Sequence, residues 1–527
     1  MSKIKINNII PFIANSLWEF MTLPEYNRFR KATIFNEESQ KKYLFSLLEK
    51  NAETIFGEKH NFNKIKSIED YQKYVPLSSY EDYKKYIDLI SKGNKNVLTA
   101  DDVFLFEPSS GSTSARKLIP YNRELKKEFQ RVVSVWMASL FKEYPKIKNG
   151  KAYWAISPAF QKNEFYGIIP VGFDNDTEYL GFAAKILSKI ITIQPDIDDC
   201  KNYDEFKTKT LVTLLAARDL SLISVWSPTF LILLLDYYLN NREQVLSLML
   251  KNDKFAMRAN LIKKYKNKKN VFEKIWPDLA LISCWKDGAS KLYAEKLKKY
   301  FPNTPIQGKG LLATECFVTS PFEADNTPVL AVNSHFFEFM NEKGECLTTY
   351  QVEKGMYYSV VVTTGGGLYR YKLEDRILVT GFINKTPTLR FIGKMNNISD
   401  QFGEKLNETH IAKIVKSVLP TEKYNFCMLA PDNDDRQYGY TLYVENKDNL
   451  SEGLAENFER GLRENPQYKY CIELGQLRPV KIFRIMRNGY NTYKMRLSEL
   501  GIKYGDIKMS YLNNLDGWSD HFQGEYR

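Results

Sequence analysis

Ser109-Ser110-Gly111-Ser112-Thr113-Ser114-Ala115-Arg116-Lys117 follows an apolar run, Val103-Phe104-Leu105-Phe106. Beyond it, from Asn122, the residues Leu125, Phe129, Val132, Val133, Trp136 and Leu140 recur with helical spacing. The flanks predict a short buried strand and a long amphipathic helix, which places the hydroxyl-rich loop at a strand-to-helix junction. Backbone N–H groups of such a turn, a glycine that permits close approach, and several hydroxyl donors together form an anion cradle. A polyphosphate such as ATP is the anion that suits it. The string is not the Walker pattern, because no Gly-Lys-Ser/Thr follows Gly111. A solvated Ser-rich loop is the plain alternative, so the rest of the chain has to decide.

Outward from this loop, strand-like runs (Ala152 to Ile156, Leu279 to Cys284) alternate with helical ones (Lys207 to Asp219, Ser290 to Tyr300), the pattern of a covered α/β sheet. Upstream, Asn36 to about Gly93 reads as helical packing. Leu44, Leu47 and Leu48 face inward, Ser79-Tyr80-Glu81-Asp82 forms an N-cap with an acidic first turn, and Gly93 closes the helix. After Phe317 the texture becomes β-rich with Gly-containing turns, and a curled antiparallel sheet or barrel is expected. From about Asn397 helices and strands alternate in a region large enough to fold alone. The expected fold class is therefore α/β. A large N-terminal domain, 1–396, would carry mixed or parallel sheets and a β-barrel-like subdomain, and a small α+β C-terminal domain, 397–527, would act as a lid.

A chain of 527 residues exceeds what one core usually supports. Its net charge of +12, from 75 basic and 63 acidic residues, suits an anionic ligand. The cations are scattered, and the cluster Lys263-Lys264-Tyr265-Lys266-Asn267-Lys268-Lys269 reads as a solvated helix end, so no nucleic-acid partner is expected. The six cysteines lack any C-x-x-C rhythm, which points to reduced thiols and a cytoplasmic setting. Four isolated histidines argue against a zinc site or a His-driven triad. Ile9-Ile10-Pro11-Phe12-Ile13-Ala14 is too short for a leader and reads as a packed N-terminal arm. Phe230 to Leu235 ends at Asp236, too short to span a bilayer, so no membrane association is expected.

Four further strings belong with the opening loop. Gly310-Leu311-Leu312-Ala313-Thr314-Glu315 sets a hydroxyl beside a carboxylate: Thr314 can reach a phosphate oxygen, and Glu315 can hold Mg²⁺, which favours carboxylate and phosphate oxygens. Gly365-Gly366-Gly367-Leu368-Tyr369-Arg370-Tyr371-Lys372-Leu373-Glu374-Asp375 ends in an acid suited to the two ribose hydroxyls. Arg390-Phe391-Ile392-Gly393-Lys394 and then Phe402-Gly403-Glu404-Lys405 supply an aromatic and basic groups. Asn491-Thr492-Tyr493-Lys494-Met495-Arg496 places a lysine near the C-terminus.

These strings, in this order and rough spacing, resemble the Gretchen Hagen (auxin-responsive promoter) family of acyl-acid amido synthetases, within the acyl-adenylate-forming superfamily. The resemblance runs from the helical entry segment to Arg496. It implies a two-step reaction: a carboxylic acid and ATP give an acyl-adenylate and pyrophosphate, and an amino acid amine then displaces AMP. By this resemblance Ser109, Ser110, Gly111, Ser112 and Thr113 would line the phosphates, Thr314 would touch the α-phosphate, and Glu315 would carry Mg²⁺. Asp375 would accept the ribose hydroxyls, Phe391 would flank the nucleotide, and Lys405 would bind from the domain junction. Lys494 would serve as a mobile cation in adenylation, with Lys494, Lys405 and Glu315 as the catalytic set. The partners would be a small-molecule carboxylic acid and an amino acid, and the protein itself is expected to be a monomer.

The chain departs from the family pattern in places. Glu374 stands where many members have Gly before the ribose-binding acid, Leu311 replaces an aromatic, and Gly393-Lys394-Met395-Asn396 lacks the hinge Asp of related ligases. Structural alternatives stand beside each assignment: an Asp375–Arg376 surface pair, a solvated Lys494, a capping Glu315 and an ordinary core Phe391. Two other functions share these features: an acyl-CoA ligase using the same first step, and a non-enzymatic nucleotide- or nucleic-acid-binding protein with a decayed site.

Overall fold

The computed structural model describes residues 9–109, 117–155, 164–172, 187, 190–197, 200, 203–266, 268–287, 290–323, 327–394, 398–399, 404–420, 423–432, 438–446, 450–473, 476–500, 502, 504 and 507–527. It divides into two compact units, one of 1–109, 117–373 and 377–391, the other of 110–116, 374–376 and 392–527.

In the first unit, the helix Arg123–Glu143 is the one that the spacing predicts. Asn122 caps it, its side chain accepting from the Leu125 N–H at 2.9 Å, and Leu125, Phe129, Val132, Val133, Trp136 and Leu140 are all buried. The cap contributes about 1 kcal/mol and each large apolar side chain about 1.5–3 kcal/mol. The helix Tyr80–Ser91 likewise starts at a Ser79–Asp82 capping box, and Gly93 follows it at φ +87°.

The junction before the long helix differs from expectation. Val103–Ser109 pairs antiparallel with a second strand, Lys117–Asn122, with Ser109 opposite Lys117. The hydroxyl-rich run therefore joins two antiparallel strands, and the helix starts only at Arg123. Leu118, Ile119 and Tyr121 favour a strand, and Pro120 removes a donor that a helix interior needs. The N-terminal arm also differs: Ile9–Ile34 is one helix, with Pro11 tolerated in its first turn and Ile9, Ile10 and Ile13 exposed.

Five parallel strands form the α/β core, in the order Thr192–Ile193, Lys151–Trp154, Leu220–Ser224, Leu281–Cys284 and Ile306–Gly308. A second sheet has seven strands in the order Thr319–Phe322, Thr327–Leu330, Thr386–Lys394, Tyr371–Ile383, Tyr357–Thr363, Phe336–Met340, Cys346–Thr348. Among the described residues its two outer strands do not pair with each other, so it is an open sheet and not a closed barrel. No helix among the described residues is long and apolar enough to cross a membrane.

The second unit centres on four strands, Tyr424–Pro431, Gly439–Asn446, Arg478–Ile485 and Gly524–Tyr526, in that order. The middle pair is parallel and the outer two pairs are antiparallel. Helices Glu408–Val418, Leu454–Leu462, Pro466–Glu473 and Gly489–Glu499 accompany it, giving the expected α+β region.

Candidate active site

Thr314 and Glu315 occupy the tip of a tight turn. The Ala313 N–H donates to the Cys316 carbonyl at 3.0 Å, and Val318 and Thr319 N–H groups both donate to Leu311 O. Gly310 makes the turn possible. Its φ is +82°, and a Cβ there would lie 2.5 Å from Thr319 Oγ1 and 2.9 Å from Thr319 O. Thr319 Oγ1 accepts instead from the Leu311 N–H at 2.7 Å.

Two tyrosines fix the tip. Tyr121 Oη, from the strand that follows the hydroxyl-rich run, donates to Thr314 O at 2.7 Å. Tyr371 Oη donates to Glu315 Oε1 at 3.4 Å. Glu315 is buried, and Tyr371 opens the strand that carries Asp375, so the sequence strings around 121, 315 and 371 are joined by contact. Along that strand Tyr371, Leu373, Asp375 and Ile377 are buried in alternation, and Asp375 is only 3% exposed. Glu374 sits at φ +62°, in the left-handed region where glycine rests without strain. The family departure at this position thus falls on a backbone geometry suited to glycine.

The rest of the Gly-Gly-Gly-Leu-Tyr-Arg string is a structural clamp. The Gly365 N–H donates to both oxygens of the buried Glu128 at 3.0 and 3.1 Å, and a Cβ at Gly365 would lie 2.4 Å from Glu128 Oε1. Arg370 is buried on Glu338, with Nε to Oε2 at 2.9 Å and Nη2 to Oε1 at 3.0 Å. Its Nη1 donates to the carbonyls of Gln72 and Val75, both at 2.9 Å. Phe391 is partly buried and packs against the main core of the unit. Its backbone N–H donates to Asp287, whose carboxyl is lifted by burial above the usual range, against the pull of Arg390 and Lys286.

Asp287 and Lys309 escape a reading of the sequence. Lys309 is only 4% exposed at the end of the strand Ile306–Gly308, and its Nζ donates to Ser224 Oγ at 2.7 Å. Trp226, Trp136 and Trp154 surround it, with ring centroids 4.1, 4.9 and 5.8 Å from Nζ. The only local hint is a lysine between two glycines.

In the second unit, Lys405 is exposed with φ +46°, in the left-handed region. Beside it Glu404 is buried and accepts from Tyr440 Oη, which also lies 2.8 Å from Ser399 Oγ, a hydroxyl able to donate to it. Asn465 Nδ2 donates to Glu404 O at 3.0 Å and to Lys405 O at 3.5 Å. Lys494, on the helix Gly489–Glu499, is 0% exposed, so it is not a solvated lysine. Its Nζ lies 4.1 Å from the Tyr504 ring centroid and 5.5 Å from that of Tyr490. Arg496 stacks on Trp518 at 4.4 Å and donates to Asp516 O at 2.7 Å. Ser109 ends the strand Val103–Ser109, while Ser110, Gly111, Ser112 and Thr113 lie outside the described residues.

The fold is similar to that of 2-hydroxyisobutyryl-CoA ligase in the postadenylation state in complex with 2-HIB-AMP. That structure matches over 93% of this chain and 90% of its own, with a TM-score of 0.52 and 11% identity. The AtGH3.15 acyl acid amido synthetase in complex with 2,4-DB is more similar in fold, with a TM-score of 0.79 over 94% of each chain and 19% identity. The fold is the one shared by this acyl acid amido synthetase and this CoA ligase.

Within that class, residues 25–306 match the GH3 family N-terminal domain, 328–394 the GH3 family central domain, and 408–515 the GH3 family C-terminal domain. The chain belongs to the GH3 family, as the motif order implied. Among its relatives, indole-3-acetic acid-amido synthetase GH3.4 of Arabidopsis thaliana is 24% identical over 454 residues, 77% of this chain and 74% of the relative. Indole-3-acetic acid-amido synthetase GH3.5 of the same plant is 22% identical over 442 residues, covering 73% and 71%.

Proposed function

We infer that the protein is an ATP-dependent acyl-acid amido synthetase. An oxygen of the substrate carboxylate attacks the α-phosphorus of ATP, the P–O bond to the β-phosphate breaks, and acyl-AMP and pyrophosphate form. The amine nitrogen of an amino acid then attacks the acyl carbon, the bond to AMP breaks, a proton is lost, and an amide remains. Both steps displace an anionic leaving group and call for fixed cations and donors, with no need for a protein nucleophile. The observation that carries this reading is the Thr314–Glu315 tip, pinned by Tyr121 and Tyr371, in a chain matched by all three family domains.

Thr314 is assigned to the α-phosphate, Asp375 to the ribose, Phe391 to a face of the nucleotide, and Ser109, Ser110, Gly111, Ser112 and Thr113 to the departing pyrophosphate. Lys405 and Lys494 are assigned to the nucleotide and to the α-phosphate during adenylation. Residues 1–396 form the adenylating domain and 397–527 the lid. Among the described residues no group of three His, Cys, Asp or Glu side chains gathers to hold a metal ion. A single buried carboxylate nonetheless fits Mg²⁺, which takes one or two carboxylates together with substrate phosphates and water. Glu315, with its one long hydrogen bond from Tyr371, would hold it, and the ion would neutralise phosphate charge. None of the six cysteines is in a disulfide, which supports a reducing, cytoplasmic setting; the enzyme is assigned as a monomer acting on small molecules, without nucleic-acid or membrane partners.

The fold shared with a CoA ligase favours one second reading, a thioester-forming ligase. Pyrophosphate exchange over aryl, indolyl and aliphatic acids, followed by an amine screen, tests the assignment. Exchange with at least one acid and amide with an amino acid support it, and no exchange with any acid overturns it.

A further inference from the structure

One row across the parallel sheet, near the strand ends, is rich in polar side chains. Trp154 is in register with Ser224, Ser224 with Ser283, and Ser283 with Gln307. Residues in register on adjacent strands project to the same face. Ser224, Ser283 and Gln307 are all buried, and Ser283 Oγ donates to Gln307 Oε1 at 2.6 Å. The row lies at or near the C-terminal ends of four neighbouring strands, the edge at which open α/β sheets bind ligands. Lys309 follows the last of these strands, and its Nζ bonds Ser224 in the row.

The surroundings of Lys309 are those of a recognition box. Three indole rings surround its ammonium within cation–π distance at the sheet edge. Two of those indoles, Trp136 and Trp154, have buried Nε1 N–H groups with no acceptor, and Gln307 Nε2 is in the same condition. Trp136 is itself almost wholly buried, so this donor has no ready access to water. Buried donors without acceptors are costly and call for an explanation at each site. Flat aromatic walls, an ammonium and surplus N–H donors in one place match one kind of ligand: an arene bearing a hydrogen-bond acceptor.

We propose that the tryptophan box around Lys309 is the specificity pocket of the acyl-acid site. It would select aromatic carboxylic acids that carry a second acceptor, a hydroxyl or a further carboxylate, at the end remote from the reacting carboxylate. The assignment rests on the amido synthetase reading. Four residues lie between Lys309 and Thr314 along the chain, so an acid spanning the two would present its reacting carboxylate to the nucleotide motifs and its far end to the ammonium.

The test uses paired acids that differ only in the acceptor: benzoate against terephthalate, and phenylacetate against its para-hydroxy derivative. In pyrophosphate exchange the wild type favours the acceptor-bearing member by about tenfold to a hundredfold in kcat/KM, the worth of one hydrogen bond from a charged donor. In Lys309→Met that ratio collapses towards unity. A wild type without preference, or a ratio unchanged in Lys309→Met because both members fall together, overturns the proposal. Lys309→Arg, which keeps the charge, retains part of the preference and guards against misfolding of the Met variant. Quenching of tryptophan emission gives a readout independent of turnover: the acceptor-bearing acid quenches at lower concentration, and Trp226→Phe diminishes the signal. Should no acid support exchange, the amido synthetase reading falls while the titration still decides the box. Preferential quenching upholds it, and equal or absent quenching overturns it.

Discussion

Arg370 lies within a motif that reads as part of the nucleotide site, yet its contacts are structural, and Arg370→Met separates the two roles. Removing the guanidinium strands Glu338, which is 1% exposed and retains the Gln72 Nε2 donor at 2.8 Å. Losing one partner of a buried ion pair costs about 3–5 kcal/mol. The carbonyls of Gln72 and Val75 each lose a donor as well, worth about 1 kcal/mol apiece. The left-handed φ of +47° is equally strained for Met and Arg, so it cancels in the comparison. The expected loss is about 5 kcal/mol, a large share of the 5–15 kcal/mol (roughly) that keeps a domain folded. Urea denaturation measures the loss, and hydrogen exchange locates it at the strand Phe336–Met340. Adding Glu338→Leu recovers most of the stability, because no buried charge is then left alone. A loss below about 1 kcal/mol, or unchanged stability with a selectively raised KM for ATP, would refute the clamp.

Other consequences can be checked in the same preparations. Gly310→Ala forces a left-handed alanine, costing about 1–2 kcal/mol, and its Cβ displaces Thr319 Oγ1, costing about 1 kcal/mol more; thermal unfolding should register the sum, and pyrophosphate exchange should fall as the Thr314–Glu315 tip shifts. Asp287 has a folded-state pKa raised chiefly by burial, so the fold binds its proton more tightly than the unfolded chain does. Its stabilising contribution is present below the unfolded pKa and is lost as pH rises through the folded one; Asp287→Asn should flatten the stability profile on the acid side of neutrality, and an unaltered urea midpoint against pH would contradict this. Lys494→Ala should cripple adenylation while sparing amide formation from a supplied acyl-adenylate, and equal loss in both steps would count against the division of labour.

Local chemistry made part of this legible in advance. The 3.6-residue spacing from Leu125 to Leu140 and the Ser79–Asp82 box are decided within a few residues, and both appear as read. The strand Lys117–Asn122 escaped because a six-residue run beside a strong helix signal gives little periodicity to read. The open edge of the seven-stranded sheet depends on pairing between distant segments. The Lys309 box escaped for the same reason: Trp136, Trp154, Ser224 and Trp226 converge on it only through the register of parallel strands, and register is not written in any local string. The buried Arg370–Glu338 pair shows the converse, since a conspicuous motif can carry residues whose work is to hold the fold.

Amide synthesis is tested by mass-spectrometric detection of product when the enzyme receives ATP, a panel of carboxylic acids and the common amino acids, with CoA in parallel. The expected product is an acid–amino acid amide, formed together with AMP and pyrophosphate. A product seen only with CoA, as a thioester, would contradict it.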